Sequence, residues 1–403
     1  MKANKAFGMK KTSTNLIFLL LPFLFLLSCQ THLNSSAPIF ETFQIQKLST
    51  AGIETTVVST NTAVTNSNWP TVEHLKPVPL VLNAQSLRIA VIGDTGCRLK
   101  ESNGKGVYQD CSDPKAWPYP EVAKTLLTEN YDFAIHTGDF HYREQCSDPK
   151  VCAAITHHVG YGWEAWWEDY FQPSLNLFKK SPWIFVRGNH EECSRAFEGW
   201  SVLSPMIKKT SDACEQVEPF QWVELSDLVF INFDNSSFQD RKILSATEVD
   251  FWQGKLIDVR KKIEVLNSKK EIWFVTHKPV LGFYPDPTDA EPIAISANME
   301  DMLKQSGVYE KVDYFLSGHI HNQQVVPEAD KLQLIIGHSG SSLDSFGRIL
   351  KTSKINSITE NKTSFGYAIF QRTGFKKWNF VFKDVHGEKK LECLSASATI
   401  QCE

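Results

Sequence analysis

Short apolar runs recur along the chain, and each is followed at once by residues of a narrow chemical kind. Ile89-Ala90-Val91-Ile92, Phe133-Ala134-Ile135, Trp183-Ile184-Phe185-Val186, Ile272-Trp273-Phe274-Val275 and Tyr314-Phe315-Leu316 carry no polar alternation and are rich in β-branched and aromatic side chains. Such runs predict strands covered on both faces. Further strands are expected over 228–233, 332–336, 367–370 and 378–383, and helices over 121–130, 163–180, 245–262 and 296–306. Ser245 with Glu248 forms a capping box at the start of the third helix. The interleaving of strands and helices predicts an α/β fold, with one large domain over 87–403. Residues 30–86 are rich in Ser, Thr and Asn; together with Cys29 they read as a tether with some edge strands.

The runs end, in chain order, at Gly93-Asp94-Thr95-Gly96, Gly138-Asp139 with Tyr142 three places on, Gly188-Asn189-His190-Glu191, His277, and Gly318-His319-Ile320-His321. Singly, Gly-Asp reads as a turn, Tyr142 as a packed aromatic and His-x-His as a surface pair. In layered α/β proteins, however, sites form where the carboxyl ends of strands meet loops. Five strand ends carrying carboxylate, amide, phenol and imidazole groups therefore describe one site. That donor set suits Fe, Zn or Mn, and two such ions clamp the attacking and leaving oxygens of a displacement at phosphorus.

The five blocks resemble the calcineurin-like metallophosphoesterase superfamily over roughly residues 87–345. The usual first block there is Asp-x-His, but Gly96 stands where that His is expected. Tyr142 compensates, a swap similar to the purple acid phosphatase branch. The resemblance implies a four-layer α/β/β/α sandwich of two mixed sheets. It also implies Fe(III) held by Asp94, Asp139, Tyr142 and His321, beside a divalent ion (Fe, Zn or Mn) held by Asp139 as bridge, Asn189, His277 and His319. A metal-bound hydroxide would attack phosphorus, with His190 stabilising the transition state or protonating the leaving oxygen. Beside the blocks, His136, His141 and His338 are given no ligand role; His141 or His338 facing substrate is an alternative to packing.

Lys2, Lys5, Lys10 and Lys11 precede the apolar stretch Leu16–Leu27 and Ser28-Cys29. A basic stretch and a short apolar one read as a secretory signal over 1–28, too short to span a bilayer comfortably. Leu26-Leu27-Ser28-Cys29 resembles a bacterial lipoprotein box, which implies lipidation at Cys29, export, and an outer-membrane lipoprotein facing the periplasm or the surface. Of 9 Cys, the remaining eight lie as sequence neighbours, and we expect Cys97–Cys111, Cys146–Cys152, Cys193–Cys214 and Cys393–Cys402 bridges. Eight Cys allow 105 connectivities, and a Cys metal site is the rival reading. The first three pairs would brace insertions forming the rim of the pocket. His157-His158 with Gly160 and Gly162 is a lid candidate, against an ordinary loop; Trp163, Trp166 and Trp167 read as core packing before a substrate platform.

A formal net charge of −4 offers no broad attraction for polyanions, so nucleic acid is not an expected partner. The leading expectation is a phosphomonoesterase at the cell envelope acting on a small phosphate ester. A phosphodiesterase on the same scaffold is the second reading, kept by Asn322-Gln323-Gln324 after His321, where many purple phosphatases have Tyr-Glu-Arg. An inactive, lipid-anchored binding protein is the third.

Overall fold

In the computed structural model, described over residues 42–59, 69–79, 82–102, 105–207, 213–266, 269–285, 293–344, 364–396 and 399–403, all five apolar runs form strands. The signal stretch, the lipoprotein box and Cys29 lie outside the described residues. The chain opens with β1 (Thr42–Ser49), β2 (Gly52–Ser59), β3 (Thr71–His74) and β4 (Arg88–Ile92). A hairpin of β5 (Leu99–Ser102) and β6 (Lys105–Tyr108) comes next, then β7 (Phe133–His136) and β8 (Trp183–Phe185). The second half supplies β9 (Gln221–Leu225), β10 (Leu228–Asn232), β11 (Glu271–Val275), a small ribbon of β12 (Phe283–Tyr284) and β13 (Ile293–Ala294), and β14 (Tyr314–Ser317). It ends with β15 (Gln323–Glu328), β16 (Lys331–Ile336), β17 (Gly366–Gly374), β18 (Lys377–Asp384), β19 (Lys389–Ala396) and β20 (Thr399–Cys402).

These strands make a ten-stranded sheet, ordered β20-β19-β18-β17-β4-β7-β8-β1-β2-β3, and a six-stranded sheet, ordered β15-β16-β14-β11-β10-β9. Strands β4, β7 and β8 are mutually parallel, as are β10, β11, β14 and β16. Side chains alternate across each sheet with period two. Ile89 and Val91 of β4, with Leu228 and Phe230 of β10, fill the space between the sheets. Ala90 and Ile92 face the opposite way, onto α1 (Tyr119–Leu126), α3 (Trp163–Trp166), α4 (Gln172–Lys180) and α5 (Phe197–Leu203), while α2 (Pro149–Ile155) buries no residue. Val229 and Ile231 face α6 (Ala246–Glu264) and α7 (Asn298–Ser306). The result is the expected α/β/β/α layering.

Local sequence explains the helix ends. Ser245 accepts from the Glu248 amide while Glu248 caps in return, so α6 starts where the capping box predicted. Gly307, at φ 71°, ends α7 in the left-handed conformation glycine tolerates. The expected helix over 163–180 is instead interrupted: Trp167–Phe171 forms a π-helical turn between α3 and α4. The helix expected over 121–130 stops at Leu126.

One buried acid gives the fold a pH dependence. Glu218 accepts from Trp200 Nε1 (2.7 Å) and Ser204 Oγ (2.9 Å). Burial and neighbouring Asp234 push its carboxyl up to about 7. The folded chain therefore holds a proton there that the unfolded chain has already released near its ordinary value, and stability falls as pH rises from about 4.5 through 7. Glu218→Gln is expected to match the parent at pH 5 and exceed it at pH 8 by roughly 2–3 kcal/mol. Urea midpoints at the two pH values check this; an equal difference at both would contradict it.

Candidate metal centre

The parallel strands of both sheets end at one edge, and the five blocks meet there. The backbone is bent to bring them in. Asp94 (φ 54°), Asp139 (φ 56°) and His319 (φ 72°) all adopt left-handed conformations, which L residues other than glycine seldom hold and which concentrate at functional sites. Each comes directly after a glycine. A Cβ on Gly188 would lie 2.1 Å from the Asp139 amide nitrogen, so this close approach of two loops needs glycine.

The side chains converge in two groups that share Asp139. Tyr142 Oη donates to Asp139 Oδ2 (2.5 Å) and lies 3.2 Å from Asp94 Oδ1 and 2.7 Å from His321 Nε2. His277 Nε2 lies 3.2 Å from Asp139 Oδ2 and 3.0 Å from Asn189 Oδ1. Ligating atoms of Asp94, Asp139 and His321 lie within 4.8 Å of one another, as do those of Asp139, His277 and His319. The surroundings orient the imidazoles: His277 Nδ1 bonds Thr137 O (2.8 Å) and His321 Nδ1 bonds Ser342 O (2.7 Å). Both rings therefore donate from Nδ1 and turn Nε2 into the cluster, the arrangement metal-binding histidines use.

The electrostatics are those of a crowded anionic pocket. Burial, then Asp139, holds the Asp94 carboxyl well above the usual range. Burial also opposes the charge on Asp139, but His277, His190 and His319 more than offset it and keep that group well below its usual value. Burial, then Asp139 and Asp94, raises the Tyr142 phenol. Burial draws His319 down to about 4 and lowers His321. Three acidic groups packed against imidazoles form a site that cations stabilise. The donor set fits two metal ions: hard oxygens with oriented imidazole nitrogens on either side of one shared carboxylate.

Several residues at the site went unmarked by the strand-end pattern. Asp240 accepts from His319 Nε2 (3.2 Å) and from Tyr284 Oη; burial opposes its charge, but these bonds outweigh it and hold the carboxyl below the usual range. His190 Nδ1 lies 2.8 Å from both Glu144 Oε1 and Arg195 Nη2, and Arg195 also pairs with Glu144. Glu191 accepts from the backbone amides of Gly188, Asp139, Phe140 and His141, locking the second and third blocks together. Asp169, presented by the π-helical turn, accepts from the amides of Cys97 and Tyr142 and from Arg143 Nε. Extra helical turns of this kind recur at functional sites; here one holds the peptide carrying Tyr142. No local motif marks Asp240, Glu144, Arg195 or Asp169, because each acts across the fold, whereas Glu191 stands within the third block.

The remaining candidates sit away from the cleft. His136 is buried against Thr95 Oγ1 (2.9 Å). His141 Nε2 bonds Gly160 O (2.8 Å), and His338 is buried, with neither ring nitrogen bonded among the described residues. His158 bonds Glu168, and Gly160 N donates to Arg143 O. The lid candidate is thus pinned from three sides, and none of its residues lines the cleft. That expectation is corrected: flanking glycines suggested motion, but long-range hydrogen bonds hold the segment. Trp163 and Trp166 are wholly buried and Trp167 nearly so, in the core rather than on a substrate platform.

All four neighbour pairs of cysteines are bonded: Cys97–Cys111, Cys146–Cys152, Cys193–Cys214 and Cys393–Cys402. The first closes the loop carrying β5 and β6, whose Arg98 and Lys100 line the cleft. Four disulfides suggest an exported protein. Among the described residues no helix is long and apolar enough to cross a membrane.

Residues 87–323 match the calcineurin-like phosphoesterase family. No curated protein sequence matches the chain. Among solved structures, purple acid phosphatase PPD1 from yellow lupin (Lupinus luteus) seeds is similar, at 14% identity and a TM-score of 0.51, covering 84% of this chain. The chain spans only 59% of the lupin protein's length. GAP50 of Plasmodium matches at 16% identity over 78% of this chain and 89% of its own, with a TM-score of 0.45. PhoD matches at 12% identity over 87% and 77%, with a TM-score of 0.48. With the matched segment covering well over half of the chain, including every block from Asp94 to His321, the protein belongs to the calcineurin-like phosphoesterase family.

Proposed function

We propose that the protein is a purple acid phosphatase-like phosphomonoesterase with a dinuclear Fe(III)–divalent centre, exported and lipid-anchored at Cys29. The observation that carries this reading is Tyr142 Oη, set between Asp94, Asp139 and His321. Asp94, Asp139, Tyr142 and His321 would hold the ferric ion. Asn189, His277 and His319, with Asp139 shared, would hold the divalent one (Fe, Zn or Mn). Bound there, two cations supply Lewis acidity at a phosphoryl oxygen and ease deprotonation of water near neutral pH.

The chain's own groups do the rest. Asp139 stays ionised among its histidines and keeps the two donor groups in register. His190 packs on the Tyr142 ring (3.9 Å between centroids) and lines the cleft. Glu144 and Arg195 both contact Nδ1 and hold the ring in place over the cleft, where His190 can pass a proton to a phosphoryl or leaving oxygen. Burial draws His190 down to about 4, against the opposing pull of Asp139 and Glu144. The ester itself would be small; the net charge of −4 gives no basis for nucleic-acid binding.

A paired assay on para-nitrophenyl phosphate and its bis ester, with the metal-loaded full chain in mild detergent, tests the reading. Turnover of the monoester at least about tenfold faster is expected, because in that substrate both non-bridging charges face the cations. Preferential cleavage of the bis ester would establish the phosphodiesterase instead, and turnover of neither would leave a binding protein.

A further inference from the structure

The cleft reaching the metal centre is larger than one phosphate requires, at about 1000 Å³, and its outer wall carries a second set of charges. Arg98 and Lys100 enter from the disulfide-closed segment that begins β5, and Arg241 enters from the loop before α6. Other charged groups in the cleft have evident tasks. Asp240 and Asp344 accept from His319 and from the His321 amide, Lys242 pairs with Glu248, and Lys278 Nζ donates to Phe238 O. Glu192 also lines the cleft, and burial raises its carboxyl toward the neutral form.

Arg98, Lys100 and Arg241 differ. Among the described residues none of them has a carboxylate within ion-pairing distance. Arg98 Nε is buried with no hydrogen-bond partner, while its Nη1 lies 3.3 Å from His321 Nδ1. The Arg241 guanidinium lies 4.1 Å above the Tyr284 ring and hydrogen-bonds that phenol, contacts that hold it at the cleft without neutralising its charge. The three cations are close enough to act on one another: after burial, Arg98, Arg195 and Arg241 are what depress the Lys100 ammonium. Unpaired like charges converging on one cleft cost stability in the free protein, and a bound dianion relieves that cost.

We infer that the cleft selects phosphomonoesters whose leaving group carries a second phosphate, seated on Arg98, Lys100 and Arg241 while the first phosphate occupies the metal centre. This rests on the phosphomonoesterase reading and adds the substrate class to it. The second phosphate is bound and not cleaved, so the chemistry is unchanged: the P–O bond of the first ester breaks, water supplies the new P–O bond, and the leaving alkoxide takes a proton.

The test compares kcat/KM of the metal-loaded full chain on butyl phosphate with butane-1,4-diyl and hexane-1,6-diyl bisphosphates. At least one bisphosphate is expected to exceed butyl phosphate by about tenfold or more, well above the twofold that two equivalent ends give, because two guanidinium forks and an ammonium act on one dianion. Arg241→Ala and Lys100→Ala are each expected to lower the bisphosphate-to-monophosphate ratio about fivefold or more, mainly through KM. A wild-type ratio within about twofold for both tethers, or a ratio that neither substitution moves, would overturn the inference while leaving the phosphomonoesterase standing. Turnover of none of the three esters would remove both.

Discussion

Asp139→Asn is expected to lower kcat/KM on a phosphomonoester by at least about 10³-fold, or roughly 4 kcal/mol of transition-state stabilisation, and to deplete both metals together. The reason lies in its position. Asp139 belongs to both groups of converging donors, and it is the carboxylate the surrounding histidines keep ionised in spite of its burial. Removing that charge weakens each site for a trivalent or divalent ion. Asn is the informative replacement because it tolerates the left-handed backbone that Asp139 occupies at φ 56°, and its amide oxygen can still accept from His190 N, 3.0 Å away. The fold should therefore survive. Metal analysis, steady-state kinetics and circular dichroism on one preparation separate loss of the centre from loss of structure. A folded variant that keeps two ions and more than about a tenth of its activity would contradict the bridging role.

The largest effect on stability is expected far from the centre, at Arg372. Its guanidinium is almost fully buried and donates to both oxygens of Asp227 (2.7 and 3.1 Å), to Glu271 Oε2 (3.0 Å) and to Ala84 O (2.8 Å). Glu271, fully buried, also accepts from Trp273 Nε1, Trp378 Nε1 and Lys376 N. Arg372→Met would strand that carboxylate without its cation, at a cost of about 3–5 kcal/mol. Adding Glu271→Gln should restore a large part of the loss, since a neutral amide needs no counter-charge. Equilibrium urea unfolding of the parent, the single variant and the double variant measures this. Activity of the folded fraction should hold, because Glu271 begins β11 while His277 lies beyond its far end, roughly 20 Å away at the rise of an extended strand. A single-variant loss below about 1 kcal/mol would mean that water or a rearranged neighbour takes over from Arg372.

Legibility in the sequence depended on how local each signal was. Asp94, Asp139, Asn189, His277 and His319 could be read because each comes within a few residues of a buried strand's end, and the strand end alone sets where the side chain stands. The disulfides could be read because each joins sequence neighbours; Cys393 and Cys402, for example, are direct partners across β19 and β20. Glu144, Asp169, Arg195 and Asp240 could not, since each matters through a contact with a distant segment. The Arg372–Glu271–Asp227 cluster was hidden for the same reason, its members lying 101 and 145 residues apart in the chain. Residues 163–180 looked like one helix because the five-residue π-helical turn keeps the same aromatic spacing. The segment 42–74 read as tether and edge strands; it contributes β1, β2 and β3 at one end of the larger sheet. Glycines around 160 suggested a lid, but glycine reports what a backbone can do and not what its neighbours allow.

In the function proposed above, Asp139 joins two metal ions at the meeting point of the two sheets. Anomalous diffraction from crystals of the active, metal-loaded protein tests it most directly. Two peaks flanking Asp139 are expected, one beside Tyr142, Asp94 and His321, the other beside Asn189, His277 and His319. A single peak, or none among these residues in protein that still turns over a phosphate ester, would contradict it.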